Sequence, residues 1–103
     1  MEQQFKIEIR NGNASDMVHF HGNIDSNAES HFTDLCRKIS NKNVVLDFSH
    51  AGRINSMGIA MLLRSIKSLK AEKNAEISIQ GANQINNMLF KMTGIFMLAP
   101  QTK

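Results

Sequence analysis

Residues Val44 to Lys73 read VVLDFSHAGRINSMGIAMLLRSIKSLKAEK, and the reading of this stretch decides the fold. Val44 to Asp47 have the apolar character of a buried strand. Beyond a connection over Phe48 to Ile54, the residues Ile59, Leu62, Leu63, Ile66 and Leu69 recur at i, i+3, i+4, i+7 and i+10, one stripe of an amphipathic helix. Between strand and helix lie Asn55, whose amide can cap the helix, and Ser56, a hydroxyl on its first turn. A helix start carries free N–H groups and the positive end of the helix dipole, so a phosphate on Ser56 would be well received there.

Upstream, the polar loop Ser40-Asn41-Lys42-Asn43 delivers the chain to this strand. Before it, Ala28, Phe32, Leu35, Cys36 and Ile39 share helical spacing, and Asp25 or Ser26 can cap that helix. Gly22-Asn23-Ile24-Asp25 ends a strand over Met17 to His21, with Val18 and Phe20 on one face. At the start, Phe5, Ile7 and Ile9 interleave with Lys6, Glu8 and Arg10, the period of two of a half-buried strand, and Asn11-Gly12-Asn13 makes a turn. The two strands predict a hairpin. Val44-Val45-Leu46 is apolar at consecutive positions, which predicts a sheet interior covered on more than one side. Strand, helix and strand in that order predict a parallel crossover.

Downstream, Ala71-Glu72-Lys73-Asn74 is a polar exit, and Ile77 and Ile79 alternate as a fourth strand. Gly81-Ala82-Asn83 turns into a short helix with Ile85, Met88, Leu89 and Met92 expected to face inward and Gly94 to stop it. Ile95 to Leu98 is expected as a last short strand before Pro100. The predicted fold class is α/β, a mixed β-sheet with helices packed on it in the order ββαβαβα(β).

With 103 residues, 42% of them hydrophobic and 20% charged, the chain falls in the globular range and has room for one core, so a single domain over residues 1–103 is expected. No apolar run approaches the roughly 18 residues of a membrane span, and the opening MEQQFKIEIR has no signal-peptide core, so a cytoplasmic protein is expected. One cysteine, Cys36, suits a reducing compartment and is expected as a buried structural thiol. The net charge of +3 is mild, and Lys67, Lys70 and Lys73 read as a solvated face rather than a nucleic-acid surface.

Catalysis finds little support. His19, His21, His31 and His50 do not form a zinc-ligand pattern, although His19 and His21 should share a strand face. Asp47, Ser49, His50 and Ser56 supply the residue types of a hydrolase triad without a G-x-S-x-G elbow, and no phosphate-cradling glycine loop is present. No cofactor, metal or enzymatic activity is expected.

The order of elements, Gly22-Asn23-Ile24-Asp25, Val45-Leu46-Asp47-Phe48-Ser49 followed by Ile54-Asn55-Ser56-Met57-Gly58, and the late Met92-Thr93-Gly94-Ile95-Phe96 together resemble a STAS domain. More narrowly they resemble the stand-alone anti-sigma factor antagonists, also called anti-anti-sigma factors. That family carries D-[ST]-[ST]-G-hydrophobic at the start of its second helix, with a phosphorylated hydroxyl directly after the Asp. By that resemblance Ser56 is the phosphoacceptor, Asn55 stands in the Asp position, Met57 in the second hydroxyl position, and Gly58 is the glycine. Asn55 keeps a cap and removes a carboxylate; Met57 removes an alternative acceptor.

The resemblance implies a monomeric, non-enzymatic regulator that binds its partner when Ser56 is bare. Its implied partners are an anti-sigma-type serine kinase and a PP2C-type phosphatase, which can be fused in one regulator. The output would be sigma-factor release or another pathway using the same switch, such as biofilm control of the SypA kind, and a small-ligand-sensing STAS module is the alternative. Around Ser56, Asp25 is a cap or part of the partner surface. Arg53 is a solvated side chain or a match for a phosphate or acidic partner, and Met57 faces the core or makes an exposed contact.

Overall fold

The alternation of Phe5, Ile7 and Ile9 with charged residues does produce an edge strand, and the hairpin it starts leads into one four-stranded sheet. In the computed structural model, which describes residues 5–102, β1 (Lys6–Asn11) pairs antiparallel with β2 (Ser15–Ile24). The next two strands, β3 (Asn43–Ile54) and β4 (Glu76–Gln80), add in parallel to give the order β1-β2-β3-β4. Both parallel steps are helical crossovers, as the order of elements predicts.

The central strand is longer than its apolar run. Beyond Asp47 the chain stays extended through Ile54 because β2 continues to supply ladder partners, pairing His21 with His50, Gly22 with Ala51 and Ile24 with Ile54. The expected loop over Phe48 to Ile54 is therefore strand, and Asn55 alone joins it to the helix α3 (Ser56–Lys73). Cross-strand pairing, which periodicity does not register, extends the element.

Helices cover one face of the sheet. Val18, Phe20, Val44, Leu46, Phe48, Ile77 and Ile79 point to that side and share one core with Ile59, Met61, Leu62, Ile66 and Leu69 of α3. Met61 joins the buried stripe, while Leu63 is half-buried. The opposite face is polar: Glu8, His19, Asp47 and Gln80 form one row across all four strands. Val45 is half-buried there, so the expectation of cover on both sides does not hold. The six phenylalanines of the chain tie the core together, with Phe5, Phe32 and Phe48 all beside Phe20, Phe48 beside Phe90, and Phe90 beside Phe96 at ring separations of 4.7–6.4 Å. Rings at such distances add about 0.5–1.5 kcal/mol per pair beyond their burial.

Three further expectations are corrected. The helix over Ala28 to Ile39 is three short pieces, a 3-10 turn at Ser26–Ala28, α1 (Glu29–Thr33) and α2 (Leu35–Lys38), interrupted at Asp34. Cys36 on α2 is half-buried rather than buried, with Sγ 3.7 Å from Glu72 Oε2; burial and that carboxylate push its thiol pKa up, which disfavours the thiolate. Ile95–Leu98 is a helix, α5, following α4 (Gln84–Thr93) through Gly94 at φ 82°. Consecutive apolar residues do not distinguish strand from buried helix, and here Ile95 and Phe96 pack inward from a helical turn closed by Met97 N–H to Gly94 O. The extended segment comes slightly later, where Ile79 exchanges hydrogen bonds with Pro100 and Thr102 at the edge of β4.

Candidate functional site

Parallel strands end their carboxyl termini at one rim, and in open α/β sheets that rim is where sites form. Here the ends of β2 and β3 lie side by side and α3 begins directly above them. Asn55 is held extended (φ −92°, ψ −177°), its N–H donates to Ile24 O at 3.2 Å, and its Oδ1 accepts from Gly58 N–H at 2.9 Å. That is a full side-chain cap on the third residue of the helix. Gly58 is buried against β2: a Cβ there would collide with the Ile24 carbonyl oxygen and touch Ile54 at 3.0 Å. The glycine is what allows α3 to approach the sheet so closely.

Ser56 is the first residue of this helix and is exposed, as is Met57 beside it. No acidic residue sits in the first turn of α3, so the positive end of the dipole is not neutralised there, whereas Lys70 and Lys73 complement the opposite end. The Ser56 hydroxyl makes no hydrogen bond among the described residues. Capping is done by Asn55, and the serine oxygen is left over.

Asp25 follows Ile24 on the same rim. Its Oδ1 accepts from Asn27 N–H at 2.9 Å, which makes it the cap of the 3-10 turn. Arg53 is exposed, and its N–H donates to Asn23 Oδ1 at 2.8 Å. The structure thus gathers Asp25, Arg53, Asn55, Ser56, Met57 and Gly58 at one end of the sheet, with two of the six serving as caps and Gly58 as a spacer.

Sequence reasoning missed what lies next to them. Asn86 on α4 is buried and donates from Nδ2 to Gly52 O at 3.1 Å, while Asn83 caps α4 through Asn86 N–H at 2.8 Å. This bond and the fully buried Phe90 set the rotation of α4, and Ile85, Met88 and Met92 point to water rather than inward. Leu89 is half-buried. The signal was present as a second stripe, Asn86 and Phe90 at i and i+4, with an asparagine disguising its buried character.

The other polar cluster lies on the open sheet face. Asp47 accepts from Ser49 Oγ at 2.6 Å through Oδ1, and its Oδ2 lies 2.6 Å from His19 Nδ1. Burial opposes ionisation of Asp47, but these hydrogen bonds outweigh it and hold the carboxyl below its usual range. The carboxylate separates the imidazole from the hydroxyl, so the order needed for a nucleophilic serine is not met. His19 and His21 do share this face, and His21 stacks on His50 with ring centroids 5.1 Å apart. Among the described residues no three His, Cys, Asp or Glu side chains converge as a metal site, and no helix is long and apolar enough to cross a membrane.

Against known proteins, the STAS domain family model matches residues 4–101, so the chain belongs to the STAS domain family. No curated protein sequence matches it significantly. Among solved structures it is similar to an anti-sigma factor antagonist from Mycobacterium paratuberculosis, at 16% identity and a TM-score of 0.79 over 98% of this chain and 89% of that one. It is also similar to the anti-sigma factor antagonist SpoIIAA in its unphosphorylated form, at 13% identity and a TM-score of 0.74 over 97% and 89% of the two chains. The phosphorylated form of SpoIIAA, described as a Bacillus cell fate determinant, aligns at 12% identity and a TM-score of 0.65 over 97% and 92%. At these identities the likeness is one of fold, and the mixed sheet with its helices is the STAS fold.

Proposed function

We propose that this chain is a phosphorylation-switched protein-binding regulator of the anti-sigma factor antagonist type. In its bare form it binds an anti-sigma or kinase-type regulator through the rim around Ser56. A serine kinase phosphorylates Ser56 and disrupts the complex, and a PP2C-type phosphatase restores it. Asp25, Arg53, Asn55 and Met57 complete the binding surface, with Met57 as its exposed apolar contact, while the buried Gly58 seats the helix start on the sheet beneath them rather than touching the partner. No catalytic role is assigned to the chain, and any ATP belongs to the kinase.

The observation that carries this reading is the spare hydroxyl. Serine at a helix start usually serves as a cap, but Asn55 already supplies the cap, bonded to Gly58 N–H at 2.9 Å, and Ser56 stays exposed. A phosphate adds about −1.5 to −2 charges. On this helix end, exposed and with no acidic residue in its own first turn, an anion is stabilised by roughly 0.3–1 kcal/mol. The fold therefore tolerates the modification. A partner packed over the same turn does not, because burying a doubly charged group without a cationic match costs several kcal/mol. A difference of about 2.7 kcal/mol is already a hundredfold in affinity.

Mass spectrometry of the chain isolated from its native cells tests the assignment. A phosphopeptide containing Ser56 is expected in the wild type, removed by a PP2C-type phosphatase and lost in Ser56→Ala. Phosphate confined to another residue, or none under any growth condition, would overturn it.

A further inference from the structure

Beside the rim, the end of β3 and the outer side of α4 bound an open groove of about 740 Å³. Its apolar wall is Ile54, Ile85, Met88, Leu89 and Met92, and Arg53 stands at its edge. Ile85, Met88 and Met92 are 78%, 58% and 79% exposed. Single apolar side chains on a surface are ordinary, but three at i, i+3 and i+7 of one helix, arranged around a concavity, make a patch. Neither Ser56 nor Met57 lines it.

Charge and shape identify the occupant. Arg53 is the only charged residue among the described residues lining the groove, and it makes no ion pair among them. From Gly81 to Leu98 the one charged side chain is Lys91, exposed on α4. The groove is thus lined by apolar side chains and asparagines with one cation, Arg53, and no acid. A second copy meeting this one through the same face would offer Arg53 no carboxylate, and a polyanion would leave the apolar wall in water. A helix with an apolar stripe and a flanking carboxylate satisfies both features, and flexible methionines suit such a partner because they repack around it. The wall is preformed, since Asn86 fixes α4 to Gly52 O and Phe90 anchors it in the core.

We propose that the groove between Arg53 and the Ile85–Met88–Met92 stripe docks an amphipathic acidic helix of another protein, a carboxylate of that helix pairing with Arg53. This goes beyond the Ser56 switch: the two surfaces adjoin at Arg53, but docking in the groove requires no phosphate, so failure of either test leaves the other standing.

Two synthetic amphipathic helices with the same leucine stripe, one flanked by glutamates and one by lysines, serve as probes against the unphosphorylated protein labelled at its methionine methyls. The acidic helix is expected to bind and to shift the Met88 and Met92 methyl resonances. Met97, 89% exposed but outside the groove, is expected to stay unshifted. Arg53→Glu should weaken the acidic helix by about tenfold and strengthen the basic one, with an unchanged melting curve because the Arg53 side chain is exposed. Equal binding of both helices, binding of neither, or shifts as large at Met97 as at Met88 would overturn the proposal. So would concentration-dependent broadening of Met88 and Met92 without peptide, which would mark the face as a contact between copies.

Discussion

The helices α3 and α4 obey the same local rules and end in opposite situations. Each opens with an asparagine whose side chain accepts from the N–H three residues on, Asn55 from Gly58 at 2.9 Å and Asn83 from Asn86 at 2.8 Å. Each closes on a left-handed residue, Asn74 at φ 51° and Gly94 at φ 82°. Each carries an apolar stripe. In α3 that stripe is the core of the protein, whereas in α4 it lies in water and the helix is held by Phe90 and a buried asparagine. Helical periodicity reveals that a stripe exists; what covers it is decided by the rest of the chain.

The sharpest way to break this contrast is to place a charge on each stripe. Leu62→Asp should unfold the domain, because a buried carboxylate without a partner costs several kcal/mol. Met92→Asp should cost no more than about 1 kcal/mol of stability, since the charge lies in water and meets only the negative end of α4. Comparable losses measured by circular dichroism would mean that α4 faces the core after all.

The glycines sharpen it further. Gly58→Ala should cost about 1–3 kcal/mol, since the added methyl meets the backbone of β2. Gly94→Ala should cost about 1–2 kcal/mol for a different reason, the left-handed backbone, with open space around its Cβ. Asn at position 94 should recover most of that loss, as left-handed helix ends accept it, whereas Asn at position 58 should be worse than Ala. Rescue at both positions would show that α3 is not pressed against Ile24.

The smallest effects belong to the caps. Asn55→Ala and Asn83→Ala should each cost about 1 kcal/mol in urea unfolding, and Ser56→Ala should stay within about 0.5 kcal/mol. A Ser56→Ala loss as large as that of Asn55→Ala would make the hydroxyl structural.

Much of the fold is legible in the sequence because its signals are local. The alternation of Phe5, Ile7 and Ile9, the stripe of Ile59, Leu62, Ile66 and Leu69, and the polar loops between them suffice for the hairpin, the crossovers and α3. The Asn55 cap and the exposed Ser56 are equally local and were found where expected. What escaped depends on partners distant in sequence. β3 runs on to Ile54 because β2 pairs with it, and α4 turns as it does because Asn86 finds Gly52 O. Asp16 is a further case: it lies on the inward face with Val18 and Phe20, fully buried, and accepts from Ser40 N–H and Asn41 N–H at 2.5 and 3.1 Å. A polar residue in an apolar alternation looks like the end of a strand until its donors are known. The groove escaped for the converse reason, since apolar residues at helical spacing look like core.

The most direct test of the central claim is a pull-down from native cell extract with Ser56→Ala and Ser56→Asp baits in parallel, the bound proteins being identified by mass spectrometry. A kinase-type regulator is expected to be held by the alanine bait and lost from the aspartate bait, with identical circular dichroism for the two. The same partners on both baits would contradict it and return Ser56 to the role of an ordinary first residue of a helix.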